Sequence, residues 1–351
     1  MSRRPPVTLL LPNRNNGPVL DLALRHLREH TTYPCFELVV VDDGSTDESL
    51  SILRRWRDER VFRDLTLIER EHGGVVNALN AGLSAAGGEL IVQLDGDATA
   101  QTPGWLERMV DFQQSDERIG VVNPLITLDN GYVHAAGINV IGEQGLHDRG
   151  SEPQEPVGHR TLNTRVHRVK PDAAGALVKD TAEVDAAIGV CMLYPRAAAE
   201  ELGGYDLGFS PVWFDDVDLS LSMRRLGLKA FFLSEVEFIH RLDLRNDRTP
   251  PSTVRKMRGR ARRAVGQITP SRAKNVLAGI ERRDPVHPPH ELKRLRHHYR
   301  YWGAKWGFDL INPDMTQLLS RYGDTEVCWA YDPVRRAVGV GIVQGWAQRA
   351  N

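Results

Sequence analysis

Val39-Val40-Val41-Asp42-Asp43-Gly44-Ser45-Thr46-Asp47 carries an unbroken β-branched run straight into two carboxylates, a glycine and a helix start. A short apolar run bounded by turn residues reads as a buried strand. Polar groups at its carboxyl end stand where an open α/β sheet presents its ligand site. Three further stretches follow in order: Leu90-Ile91-Val92-Gln93-Leu94-Asp95-Gly96-Asp97, Trp213-Phe214-Asp215-Asp216-Val217-Asp218-Leu219 and Phe238-Ile239-His240. The first and last of these also end apolar runs. Carboxylates gathered at strand ends need positive charge, and a divalent metal carrying a diphosphate supplies it.

Working outward, residues 7–11 and 37–41 read as buried strands, 65–68 as a short third strand and 90–94 as a fourth. Between them lie helical patterns at 19–30, from about Glu48, at 73–86 and from Pro103 to Phe112. Alternating strand and helix predicts a doubly wound, mostly parallel sheet over the first 125 residues. Residues 128–185 lose periodicity and read as a loop-rich excursion with some strand. Order returns with a strand expected over 185–194, a short helix over 195–202 stopped by Gly203-Gly204, and a helix over 216–226 stopped by Gly227. Two strands are expected at 229–233 and 236–239, helices at 254–265 and 289–302, and strand-like pieces within 326–343.

The chain has 351 residues, 41% apolar and 26% charged, which suits one large domain, or a catalytic domain with an appendage. Its net charge of −1 hides an asymmetry: residues 241–300 hold 17 Lys/Arg against 5 Asp/Glu, a net +12, so the rest carries −13. Cys35, Cys191 and Cys328 are far apart and lack metal spacing, which fits a reduced, cytoplasmic setting. Without a long apolar segment, membrane contact is expected to be peripheral, at the inner face.

Each motif has a plain structural alternative. Asp95-Gly96-Asp97 is either a metal site, with one carboxylate on the ion and the other on a ribose or a metal-bound water, or a polar turn. Asp42 and Asp43 accept from a ribose or base, or merely shape an Asx-turn, while Asp47 reads as a helix cap. Asp215, Asp216 and Asp218 suit a helix start, yet Trp213 and Phe214 beside them supply apolar surface that raises a carboxyl toward a useful general base. His240 is a structural histidine or completes a metal shell.

Together these stretches resemble glycosyltransferase family 2, the inverting, metal-dependent enzymes of the GT-A fold, over residues 7–240. Leu10-Leu11-Pro12-Asn13-Arg14-Asn15 resembles the opening strand and turn, and Asp42-Asp43-Gly44-Ser45 the nucleotide-contacting turn. His72-Gly73-Gly74 with Asn77-Ala78-Leu79-Asn80-Ala81-Gly82 is similar to the Gly-rich helix start. Asp95-Gly96-Asp97 is similar to the D-x-D metal motif, and Asn130-Gly131-Tyr132-Val133-His134-Ala135-Ala136-Gly137 to a hairpin of bacterial members. Gly203-Gly204-Tyr205-Asp206 and Trp213-Phe214-Asp215-Asp216-Val217-Asp218-Leu219 resemble the acceptor loop and catalytic motif, and His240 the late metal-binding histidine.

The resemblance implies a mostly parallel GT-A sheet with helices on both faces over residues 1–240, and a basic, partly helical extension over 241–351. It implies a nucleotide-diphospho-sugar donor (UDP-, GDP- or dTDP-linked) held by Pro12, Asn13, Asn15, Asp42, Asp43, Gly74, Asn77 and Asp95. Mg²⁺ or Mn²⁺ sits on Asp97, His240 and Asp95. The resemblance implies a general base at Asp215 or Asp216, with Asp216 favoured; Asp215 stands where many relatives carry Glu, which leaves the choice between the two open. The acceptor is a saccharide, a lipid-linked sugar or a small molecule.

The basic runs Arg255-Lys256-Met257-Arg258-Gly259-Arg260-Ala261-Arg262-Arg263 and Lys293-Arg294-Leu295-Arg296-His297-His298-Tyr299-Arg300 suit solvated helix faces, an anionic membrane carrying a lipid-linked acceptor, or an acidic ligand. Nucleic acid is disfavoured, since no recognition motif accompanies the charge. Tyr301-Trp302 and Trp306-Gly307-Phe308 suit core or homodimer packing, an acceptor platform or an interfacial anchor. A pyrophosphorylase would need an Arg- and Lys-bearing phosphate loop in place of Pro12-Asn13-Arg14-Asn15, and a dinucleotide dehydrogenase a G-x-G-x-x-G after the first strand. A non-catalytic nucleotide-sugar-binding or scaffold protein remains the alternative from another class.

Overall fold

A computed structural model describes residues 4–141, 159–164, 171–244, 289–306 and 309–311. Four parallel strands form one half of the main sheet: β1 (Val7–Asn13), β2 (Phe36–Asp43), β3 (Leu65–Arg70) and β4 (Leu90–Leu94). β1 pairs with β2 on one side and β4 on the other. The chain therefore winds outward through β2 and β3, then crosses back over β1. Between β1 and β4 lies the switch point, where open α/β sheets form a crevice at their carboxyl ends.

The other half is mixed. β5 (Ala98–Ala100) follows β4 directly, and β6 (Ile119–Leu128), β7 (Val133–Ala135), β10 (Ala182–Val184), β11 (Cys191–Pro195) and β12 (Lys229–His240) complete the sheet. Its spatial order is β10-β12-β6-β11-β4-β1-β2-β3, with β5 on β12 and β7 on β6. A second sheet joins β8 (Ile138–Ile141), β9 (His159–Thr164) and β13 (Asp309–Ile311). The excursion over 128–185 thus holds short strands, as expected, and β13 brings the C-terminal extension back to it.

Side chains alternate between the two faces of the parallel strands, and both faces are buried. Leu9, Leu11, Leu38 and Val40 pack under α1 (Gly17–His30), α2 (Ser49–Asp58) and α4 (Trp105–Gln113). Leu10, Val39 and Val41 pack under α3 (Val75–Ala85) and share their cluster with α7 (Arg196–Glu201) and α8 (Asp215–Arg225). Two four-residue helices, α5 (Pro171–Ala174) and α6 (Ala176–Lys179), precede β10. The long helix α9 (Pro289–Trp306) lies in the extension. Each fully buried Leu or Val contributes roughly 1.5–3 kcal/mol, so these two layers hold the frame. No helix among the described residues is long and apolar enough to cross a membrane.

Four expectations are corrected. The strand expected over 185–194 begins only at Cys191. Ala186 instead bridges Ile138, and Gly189 and Val190 form a turn whose polar groups are used at the site. The two strands expected at 229–239 are one strand, β12, whose register on β6 slips between Leu233 and Glu237. Gly73 and Gly74 stay outside α3, because their N–H groups are held by Asp43. The helix expected at 289–302 runs on to Trp306. The segments expected at 254–265 and 326–343, and the basic run at 255–263, lie outside the described residues.

A buried chain of hydroxyls crosses the core beneath the site. Tyr205 donates to Gln93 Oε1 at 2.7 Å, which commits its single proton, so Tyr194 donates to Tyr205 at 2.7 Å. Burial pushes both phenol pKa values up, so neither ionises. Tyr205→Phe strands Gln93 and Tyr194 together and is expected to cost about 1–3 kcal/mol in urea unfolding. An unchanged midpoint would show the chain to be dispensable.

Candidate active site

The residues expected to hold a metal meet because of a strand pairing. β5 runs antiparallel to the end of β12, with Ala98 opposite His240. Arg241 N–H donates to the Asp97 carbonyl at 2.8 Å, closing that corner. His240 Nε2 therefore lies 3.2 Å from Asp97 Oδ1 and 3.9 Å from Asp95 Oδ2. One ligand atom from each of Asp95, Asp97 and His240 falls within 4.8 Å of the others. Asp97 and His240 are buried, while Asp95 keeps about a third of its side chain exposed (32%). Two carboxylates and an imidazole suit Mn²⁺ or Mg²⁺, and the partly open Asp95 side leaves room for a ligand. Gly96 allows the turn to nest on the β1 loop: a Cβ there would meet Asn16 Nδ2 at 2.8 Å and Asn13 Oδ1 at 3.0 Å.

The residues expected at the nucleoside end form a dense frame. Asp42 accepts from Asn13 Nδ2 at 2.9 Å, from Ser45 N at 2.9 Å and from Ser45 Oγ at 2.7 Å. Asp43 accepts from His72 Nδ1 at 2.7 Å, Gly73 N at 2.9 Å and Gly74 N at 2.8 Å, with Arg70 Nε 3.5 Å away. Asn15, at φ 54°, accepts from Thr46 N at 2.7 Å. Pro12 is buried within β1 opposite Val41. Asp42 and Asp43 thus draw the β1, β2 and β3 loops together around the crevice. Asp47, expected as the helix cap, lies one residue further out: Glu48 takes the cap position of α2, while Asp47 accepts from Ser49 N at 3.0 Å.

Gly74 and Asn77 also reach the 210–211 loop. Asn77 Nδ2 donates to Ser210 Oγ at 2.9 Å, and Val76 N–H to the Pro211 carbonyl at 3.3 Å.

A third group comes from the start of α8. Asp216 Oδ2 accepts from Gly189 N at 2.7 Å and Oδ1 from Val217 N at 2.8 Å. The neighbouring Val190 carbonyl accepts from Asp95 N at 3.0 Å. One turn, Gly189-Val190, therefore ties the α8 carboxylate to the Asp95–Asp97 turn. Burial and the adjacent Asp216 charge hold the Asp215 carboxyl well above its ordinary pKa. Burial also raises Asp216, but the backbone N–H groups of Gly189 and Val217 pull it back. The two backbone donors favour the charged form of Asp216.

The Glycosyl transferase family 2 model matches residues 8–203, more than half of the chain. The chain belongs to glycosyl transferase family 2. It is 28% identical over 239 residues to the O-antigen biosynthesis protein RfbC of Myxococcus xanthus, an alignment covering 67% of this chain and 17% of that protein. The chain thus spans about a sixth of that relative's length. In fold it is similar to the mannosyltransferase PcManGT from Pyrobaculum calidifontis in complex with GDP-Man and Mn²⁺. The TM-score is 0.51 at 21% identity, over 99% of this chain and 86% of that one. It is also similar to GalNAc-T7 with UDP, GalNAc and Mn²⁺, with TM-score 0.50 at 18% identity, over 68% of this chain and 44% of that one. The GT-A architecture expected from the resemblance is the observed one.

Within this family frame, four contributors carried no clear sequence signal. Gly189 sits in a stretch that reads as strand, and only its position shows why a side chain is excluded: a Cβ there would meet Gln93 Nε2 at 2.6 Å. His134, on β7, faces the His240 ring edge-on at 5.2 Å between centroids. Its hairpin was legible, but its nearness to His240 was not. Lys305 and Trp306 both bond Asp218, which reads in the sequence as a helix-start residue.

Gly74 has φ +93° and ψ 163°, a region open essentially to glycine, and a Cβ there would collide with Pro211. Gly74→Ala is expected to lose at least about 2 kcal/mol in chemical denaturation. A fully stable Ala variant would mean that this approach of α3 to the 210–211 loop is not required.

Proposed function

We propose that this chain transfers a sugar from a nucleotide-diphospho-sugar to an acceptor hydroxyl with inversion at the anomeric carbon. The observation that carries the reading is the Gly189-Val190 turn, which fastens a basic carboxylate to the same corner as the Asp95–Asp97–His240 triad. The two similar structures, one with GDP-Man and one with UDP, each with Mn²⁺, support the donor class.

The frame set by Asp42, Asp43 and Asn13 shapes the nucleoside end of the crevice and orients the donor. Asp95, Asp97 and His240 would hold Mn²⁺ or Mg²⁺, which supplies Lewis-acid stabilisation of the departing diphosphate. Asp216, kept anionic by two backbone donors yet made more basic by burial, takes the proton of the acceptor hydroxyl as that oxygen attacks. Displacement in one step inverts the configuration and needs no covalent intermediate.

A thermal-shift screen of UDP-, GDP- and dTDP-linked sugars with Mn²⁺ identifies the donor, because a bound ligand raises apparent stability. Slow donor hydrolysis then measures turnover. If no nucleotide sugar binds or is hydrolysed, the reading fails and a non-catalytic protein is left. His240→Ala and Asp97→Asn are each expected to weaken Mn²⁺ activation by more than about tenfold, the least that losing even an outer partner of a metal site costs. Equal activation by Mn²⁺ in these variants would remove the triad from the mechanism.

Asp216→Asn is expected to keep donor binding while kcat falls about 10²–10⁴-fold. Protonation silences a base, so wild-type kcat rises with pH through the Asp216 pKa. Burial has raised that pKa, so the acid limb lies above the range of an ordinary exposed carboxylate, about 4. A kcat that stays flat down through that range would exclude Asp216 as the base.

A further inference from the structure

Downstream of the family match, α9 delivers a buried cation to the far side of the catalytic motif. Lys305 is 3% exposed, and its Nζ donates to Asp206 Oδ2 at 2.6 Å and to Asp218 Oδ2 at 2.7 Å. Trp306 Nε1 donates to Asp218 Oδ1 at 2.9 Å, and Tyr301 OH to Asp206 Oδ2 at 2.9 Å. Between these anchors, His298 Nε2 donates to the Ser210 carbonyl at 3.1 Å. The buried Trp302 ring lies 5.9 Å from Phe209 and 5.8 Å from Phe214. One helix thus holds both ends and the middle of residues 206–218, the segment that contains Asp215 and Asp216.

That segment does not hold its own shape. Trp213 and Phe214 have φ +83° and +67°, a left-handed conformation that is strained for a bulky residue and persists only where the surroundings over-determine it. Phe214 leads straight into α8, its carbonyl accepting from Asp218 N at 2.8 Å. The ion cluster is a poor source of stability. Burial pushes the Asp218 carboxyl up to about 6 despite Lys305, so desolvation outweighs what the cation returns there. Buried ion pairs of this kind contribute geometry more than free energy.

We propose that Lys305 is a positioning residue for glycosyl transfer: by bridging Asp206 to Asp218 it clamps the 206–218 loop and holds Asp216 at the metal corner. The inference rests on the function proposed above and adds to the family domain a requirement for residues well beyond its match at 8–203.

The test uses the full-length chain and the nucleotide sugar giving the largest Mn²⁺-dependent thermal shift. Lys305→Met is assayed well below its melting temperature, with UDP or GDP affinity measured by calorimetry in Mn²⁺. Expected is a loss in kcat of about 10²-fold, the effect of displacing a catalytic group by about an ångström. Donor KM and nucleotide affinity should stay within about twofold, and Lys305→Arg should recover part of the loss. A lowered melting temperature with kcat intact makes the clamp structural only and overturns the proposal, as does an equal loss of donor affinity. Should Lys305→Met not fold, Trp306→Phe removes a single N–H bond to Asp218. It is expected to lower kcat about fivefold, the weight of one hydrogen bond, and unchanged kcat overturns the proposal. A wild type that turns over no nucleotide sugar overturns the glycosyl-transfer reading itself, a result distinct from a working wild type with an equally active Lys305→Met.

Discussion

The antiparallel pairing of β5 with the last residues of β12 is the constraint on which the site depends. Asp97 and His240 stand 143 positions apart, and only the register of Ala98 opposite His240 makes them neighbours. A slip of one residue would turn His240 to the other face of the sheet. The register slip of β12 on β6 between Leu233 and Glu237 lets one strand serve two partners, the long β6 and the short β5. The switch point between β1 and β4 supplies the crevice, and this pairing supplies the ligand set at its edge.

From that corner the remaining chemistry is reached by backbone. The Gly189-Val190 turn spans from Asp95 to Asp216 with one N–H and one carbonyl, so the two carboxylate groups share a rigid link. The environments of Asp215 and Asp216 then differ by a few hydrogen bonds. Those bonds favour the charged form of Asp216, whereas burial and the neighbouring Asp216 charge disfavour it at Asp215. Asp42 and Asp43 work differently: their oxygens bind loop donors, so much of their contribution is a stiff cradle.

The parallel half of the fold was legible because strands buried on both faces read as unbroken runs, and β4 begins and ends where the run Leu90–Leu94 does. Asp95, Asp97 and His240 were legible as strand-end residues, and the structure brings all three together. Features set by distant pairing were not legible. Residues 185–190 have strand-like composition but spend their polar groups on Ile138, Asp95 and Asp216. Lys305 vanished into a chain end rich in Lys and Arg, where positive charge reads as solvated surface. The nearest cue was the spacing of Tyr301, Trp302 and Trp306 beside it. Asp218 fitted the helix macrodipole too comfortably for its second role to show.

The lateness of Lys305 in the chain has a consequence for how this protein comes into being on the ribosome. Asp218 leaves the peptidyl-transferase centre 87 residues ahead of the lysine that neutralises it. At roughly 5–20 residues per second that interval lasts roughly 4–17 s. Throughout it the parallel half-sheet has all four of its strands, whereas Asp206 and Asp218 still need water around their charges. The 206–218 loop is therefore among the last parts of the nascent chain to take its final shape, after the strands that lead into Asp42, Asp43 and Asp95.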